Sequence, residues 1–117
     1  MVADDCPADM VVLYQFWSHF LVRHFNTRMF LEFHQLAADD KARGLADGMR
    51  SLIKYYNAAL LHRAPLRDVV LTHLLELVKD DDEALSILRS AWHSGALDPA
   101  TREQLSADAE LVAALDA

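Results

Sequence analysis

Apolar residues along this chain recur at intervals of three and four, and no stretch alternates with period two for long, so the pattern is helical. The spacing predicts a first helix from about Asp9 to Phe25 that buries Leu13, Phe16, Trp17, Phe20 and Leu21. Asn26-Thr27 supplies capping oxygens for a second helix with Met29, Phe30, Phe33, Leu36 and Ala37 on its inner face, and Gly44 ends or interrupts it. A third helix, about Leu45 to His62, buries Met49, Leu52, Ile53, Tyr56 and Leu60. Pro65 opens a fourth, with Leu66, Val70, Leu74 and Leu77 on one stripe. Asp80 followed by Glu83 predicts a carboxylate cap and an acidic first turn for a fifth helix carrying Leu85, Leu88 and Trp92, which Gly95 ends. Asp98-Pro99 starts a short terminal helical segment reaching Leu115. The expected fold is all-α, with five to six helices.

The helices repeat. At an offset of 39 residues, Phe16-Trp17-Ser18 corresponds to Tyr55-Tyr56-Asn57, Leu21 to Leu60, and Arg23-His24 to His62-Arg63. Arg28 then matches Arg67, Phe30 matches Val69, His34 matches His73 and Leu36 matches Leu75, while Ala91-Trp92-His93 opens a degenerate third copy. A period near ~40 with two helices per unit is that of HEAT-like helix-turn-helix repeats. Chance agreement between two amphipathic helix pairs is the competing explanation, and the aromatic pair followed by basic residues in both copies favours a true repeat. The expected organisation is an N-terminal extension over 1–9 and a single helical-repeat domain over 10–117. Its units span about 10–48 and 49–95, with a C-terminal helical cap over 98–115.

Composition narrows the class. With 117 residues and 53% apolar side chains, the chain is long enough for one core and not two. The lone Cys6 excludes an internal disulfide, the start has no secretory signal pattern, and no apolar run approaches the ~18 residues of a membrane span. These features point to a soluble, cytoplasmic domain without membrane contact, whether complete or excised from a longer protein. The formal charge of −7 argues against a nucleic-acid partner, but it conceals a segregation. Residues 13–67 carry eight bases (Arg23, Arg28, Lys41, Arg43, Arg50, Lys54, Arg63, Arg67) against four acids, and four of the six histidines. Residues 68–117 carry three bases against eleven acids. An anion-binding surface therefore belongs in the first two-thirds.

Catalytic, cofactor and metal signatures are not found. The histidines form no HExxH, Cys6 has no partner cysteine, and Asp80-Asp81-Asp82-Glu83 lacks the alternation and glycine of a calcium loop. The expectation is a non-enzyme with no cofactor. What remains is a surface. Gln15, His19, Val22 and Asn26 fall on one stripe of the first helix, flanked by Arg23; Arg50, Lys54, Asn57 and Leu61 form a similar stripe on the third. Cations, amides and an imidazole suit phosphate contact and base-edge hydrogen bonding, and His19 can stack on a base. The same stripes also fit the wet faces of ordinary surface helices, whereas Phe16, Trp17, Tyr55 and Tyr56 are expected in the core. A helical stack whose acidic half attracts a basic protein partner is the alternative.

The run from Leu13 through Gln15-Phe16-Trp17-Ser18-His19 to Asn26 resembles the DM-15 region at the C-terminus of La-related protein 1. So do Met29-Phe30, Glu32-Phe33, Gln35-Leu36-Ala37, Gly44 with Gly48, Lys54-Tyr55-Tyr56, Val78-Lys79-Asp80 and Leu97-Asp98-Pro99. The likeness covers about residues 11–105 and is most specific in the first helix. It implies the second and third of three HEAT-like hairpins, and an RNA-binding module of translational control that holds the methylated cap and first cytidine of terminal-oligopyrimidine messages. It also implies an altered site. Gln15 and His19 stand where the family has an arginine and a phenylalanine, and Val22 replaces a second arginine. Lys54 and Asn57 replace an arginine and a serine. Ala58 stands for the tyrosine that stacks on the cap, Leu61 for the carboxylate that reads its edge, and the second stacking tyrosine falls in a deletion after Trp92. The RNA-binding residues expected on this basis are Gln15, His19, Arg23, Arg50, Lys54 and Asn57, with RNA, including an mRNA 5′ end, as the partner.

Overall fold

The structure, a computed structural model, describes residues 8–62 and 64–116. Cys6, Arg63 and the N-terminal extension up to residue 7 lie outside the described residues. Among these residues there are seven helices and no strand: α1 (Ala8–Arg23), α2 (Thr27–Ala42), α3 (Asp47–Leu61), α4 (Asp68–Val78), α5 (Asp82–Ser94), α6 (Pro99–Ser106) and α7 (Ala109–Asp116). The all-α class holds, with more helices than the five to six expected. The chain forms two compact units, Met1–Tyr55 and Tyr56–Ala117, divided within α3.

In the first unit α1 packs on α2. Asn26 is extended at the head of α2 and its side-chain oxygen accepts the Met29 amide, as the capping residues predicted. Gly44 takes φ +84° just past Arg43 and ends the helix. The core is aromatic: the Trp17 and Phe33 rings lie 5.4 Å apart, Tyr14 and Phe33 6.0 Å, Phe30 and Tyr55 5.8 Å. Tyr14 is fully enclosed, and its hydroxyl donates a 2.5 Å hydrogen bond to Asp40, a buried carboxylate that also accepts from Arg43. The Tyr14 hydrogen bond, followed by Arg43, holds the Asp40 pKa below its ordinary 3.8 despite burial.

This pairing corrects the face expected for α1. The buried residues are Tyr14, Trp17, Ser18 and Leu21; Leu13 and Phe20 are half-buried, and Phe16 is 49% exposed instead of lying in the core. The first helix carries two apolar stripes, 14/17/21 and 12/16/20, centred roughly 130° apart around the axis. Spacing alone cannot rank them. The polar handle of Tyr14 decides, because only the first stripe brings a donor to the carboxylate on α2. Met29 and Leu36 are likewise half-buried, whereas all five residues expected inside α3 are buried, together with Tyr55 and Ala59.

In the second unit α4 packs on α5, and α7 packs on both α5 and α6. Three boundaries differ from expectation. Pro65 does not open α4, because the Leu66 amide bonds to the Thr101 hydroxyl at 3.1 Å and Arg67 stays extended, so the helix starts at Asp68. Asp81, not Asp80, caps α5: the amides of both Asp80 and Asp81 bond back to the Leu77 carbonyl, closing α4, and the Asp81 side chain accepts from Ala84. The terminal segment is two helices, since Asp108 caps α7 by accepting the Leu111 amide. Gly95 ends α5 at φ +73°, and Asp98 with Pro99 starts α6, both as expected. Leu85 and Leu77 are half-buried; Val70, Leu74, Leu88 and Trp92 are in the core. Side chains of α5 also close the end of α7: Arg89 donates to the Ala114 carbonyl, His93 Nε2 to that of Leu115, and Trp92 Nε1 to the Asp116 carboxylate.

Candidate nucleic-acid interface

Helical spacing puts Gln15, His19 and Arg23 one turn apart on α1, and all three are exposed. Their side chains make no hydrogen bond among the described residues. Val22 is half-buried, and Asn26 spends its side-chain oxygen on capping α2, which removes that oxygen as a ligand atom in this arrangement. On α3, Arg50, Lys54 and Asn57 are exposed along one side. Arg50 leans back 3.7 Å toward Asp47, a solvated pair of little energetic weight. Lys54 has no acidic partner among the described residues, and its charge faces water. Ala58 and Leu61 are exposed on the same helix, with no ring and no carboxylate to offer.

Gln15 and His19 are brought together in an open depression that they share with Val12, Phe16 and Phe20. Arg23 continues the α1 stripe one turn on; Arg50, Lys54 and Asn57 form their own stripe on α3. The depression is largely apolar underfoot, with an amide and an imidazole at its side. Sequence reasoning assigned Phe16 and Phe20 to the core and so missed this surface. The signal was present as a second apolar stripe at Val12, Phe16 and Phe20.

No helix of the described residues is long and apolar enough to cross a membrane. Among the same residues no three His, Cys, Asp or Glu side chains gather closely enough to hold a metal ion. Short helices in succession, the first with an exposed polar and aromatic face, define an all-α domain. A family model described as the LARP1 HEAT repeat region matches residues 2–109. The chain belongs to that family.

Proposed function

We propose that the chain is an RNA-binding module of cytoplasmic translational control, engaging RNA, including mRNA 5′ ends, through Gln15, His19, Arg23, Arg50, Lys54 and Asn57. The observation that carries this reading is the family match over residues 2–109, nearly the whole chain. The exposed polar stripes supply compatible chemistry: guanidinium and ammonium groups for phosphates, amides and an imidazole for base edges. Binding, with no catalytic step, is the role these groups suit.

Recognition of the methylated cap is weakened. A cation-like methylguanine needs aromatic faces above and below and an acceptor for its donor edge. Ala58 and Leu61 provide neither, and each lost stack costs about 1–3 kcal/mol. Titration of capped and uncapped oligopyrimidine RNA tests the proposal. Binding at low salt with little preference for the cap is expected; no binding to either RNA refutes it. Lys54→Ala should lower the slope of log K against log salt by about 0.7, the loss of one counterion on a single strand.

A second reading, a helical-repeat protein-interaction module without direct RNA binding, draws on the second unit. There Leu75, Val78, Leu85 and Leu111 line a cavity of about 220 Å³ together with Asp108, Glu110 and Lys79, whose charge is offset by Glu76 at 3.3 Å. Apolar lining and net acidic charge fit a basic, amphipathic partner segment. A partner retained from lysate after nuclease treatment, with no RNA binding by the purified chain, favours it over the first.

A further inference from the structure

Three aromatic rings stand in a row along the outer side of α1, the third, His24, just past the helix's last residue. Phe16 and Phe20 stack at 5.0 Å with 20° between planes, and Phe20 and His24 stack at 5.1 Å with 29°. Helical i, i+4 spacing produces the row. Phe16 is its last rung. One face of its ring meets Phe20, no other ring covers it among the described residues, and the side chain is 49% exposed. Val12, one turn earlier on the same stripe, is 65% exposed and lines the same open depression as Phe16. Exposing a phenylalanine in this way forfeits burial that a core position would supply.

We propose that the outer face of Phe16 takes an unpaired nucleobase, which extends the row by one rung. Gln15 and His19 line the same depression and carry the groups needed for a base edge or a ribose hydroxyl. A neutral aromatic face accepts any base, so the contact selects single strands over duplex and carries little sequence preference. Arg23 stands exposed toward the C-terminal end of the helix and Asp9 toward the N-terminal end. The strand's phosphates are thereby drawn along the Gln15–His19–Arg23 side and away from the first turn. Residues 13–67, with eight bases against four acids, supply the attraction at longer range. An apolar protein partner would be poorly matched here, because an amide, an imidazole and a guanidinium flank the row. The inference rests on the RNA-binding reading and moves base stacking from the family's lost tyrosine position to a ring on a different helix.

The test uses the whole chain and a seven-nucleotide oligouridine RNA carrying one central 2-aminopurine, read by anisotropy and by 2-aminopurine fluorescence. The wild type should bind and quench the probe as the purine stacks. Phe16→Leu keeps an apolar side chain but removes the ring; it should weaken binding about tenfold and abolish the quenching, with the helical circular dichroism unchanged. Phe16→Tyr should restore both. Phe16→Leu binding and quenching like the wild type overturns the inference. So does sedimentation in which the wild type self-associates and Phe16→Leu does not, since a second copy then covers the face. If the wild type binds RNA, Lys54→Ala lowers the salt slope and Phe16→Leu changes nothing, the RNA-binding reading survives and only the stacking site fails. If the wild type binds no RNA, both fall.

Discussion

Replacing Gly48 with alanine sets a helix-propensity gain against a packing clash, and the geometry says which wins. Gly48 is the second residue of α3, where alanine would ordinarily stabilise by at most about 1 kcal/mol. A Cβ there would lie 2.7 Å from Tyr14 Cζ, 2.9 Å from Cε2 and 3.0 Å from the Ala37 Cα. Carbon atoms rest comfortably at about 3.5–4.0 Å, so the new methyl overlaps its surroundings on two sides. Neither neighbour yields easily. Ala37 presents backbone, and the Tyr14 ring is fully buried with its hydroxyl tied to Asp40. Overpacking of this kind costs about 1–3 kcal/mol, so a mid-range clash of about 2 kcal/mol leaves a net destabilisation of about 1 kcal/mol after the propensity gain. In a domain of this size that lowers Tm by roughly 4–8 °C, measurable by scanning calorimetry or by circular dichroism at 222 nm. Tyr14→Phe releases the ring from Asp40, so adding Gly48→Ala to that background should cost less than in the wild type. An unchanged or raised Tm for Gly48→Ala would refute the claim that α3 begins against the tyrosine ring.

Two further outcomes follow from hydrogen bonds already described. The Asp40 pKa lies below its ordinary 3.8, chiefly through the Tyr14 hydroxyl, so the folded state resists protonation there. That stabilisation is complete above pH 3.8 and disappears as pH falls through the lower folded value. Tyr14→Phe should reduce the urea midpoint at pH 7 by the equivalent of about 1–2 kcal/mol and bring on acid destabilisation at a higher pH; parallel pH curves for the two proteins would contradict this. At the start of α5, Asp81→Ala should cost about 1 kcal/mol, because it leaves the Ala84 amide without its cap, whereas Asp80→Ala should stay within about 0.5 kcal/mol. Equal losses at the two positions in a denaturant titration would place the cap elsewhere.

Helix identity was legible wherever one apolar stripe dominated. In α3, Met49, Leu52, Ile53, Tyr56 and Leu60 all went inside, and Asn26, Gly44, Gly95 and Asp98-Pro99 marked boundaries through local chemistry that needs no tertiary partner. Two of the failures required knowledge of a distant residue. Which stripe of α1 faces inward depends on Asp40, twenty-six residues away. The late start of α4 depends on Thr101, thirty-five residues from Leu66. Among three consecutive aspartates, the cap falls to Asp81 because its side chain is the one that accepts the Ala84 amide, while the amides of Asp80 and Asp81 both close the previous helix. The proposed binding surface divides along the same line. Gln15, His19, Arg23, Lys54 and Asn57 were readable as exposed polar positions. Phe16 and Phe20 were not, since an aromatic pair at i, i+4 is usually interior and only the inward turn of Tyr14 leaves them outside.

The grip of α5 on the last helix has a consequence for how the polypeptide breathes. An isolated helix of eight residues is far too short to persist in water, and helix ends usually fray first. Here fraying would strip Arg89 and His93 of the carbonyls they donate to, and leave the Trp92 indole without its carboxylate. Arg102 holds the same tryptophan from the other direction, its guanidinium 4.2 Å from the ring centroid and bonded to the Trp92 carbonyl. Melting of the terminal turn therefore loosens a buried indole rather than a free tail. The amides of Ala113 to Leu115 should then exchange with solvent at rates set by opening of the tryptophan cluster, not at the rates of a dangling end.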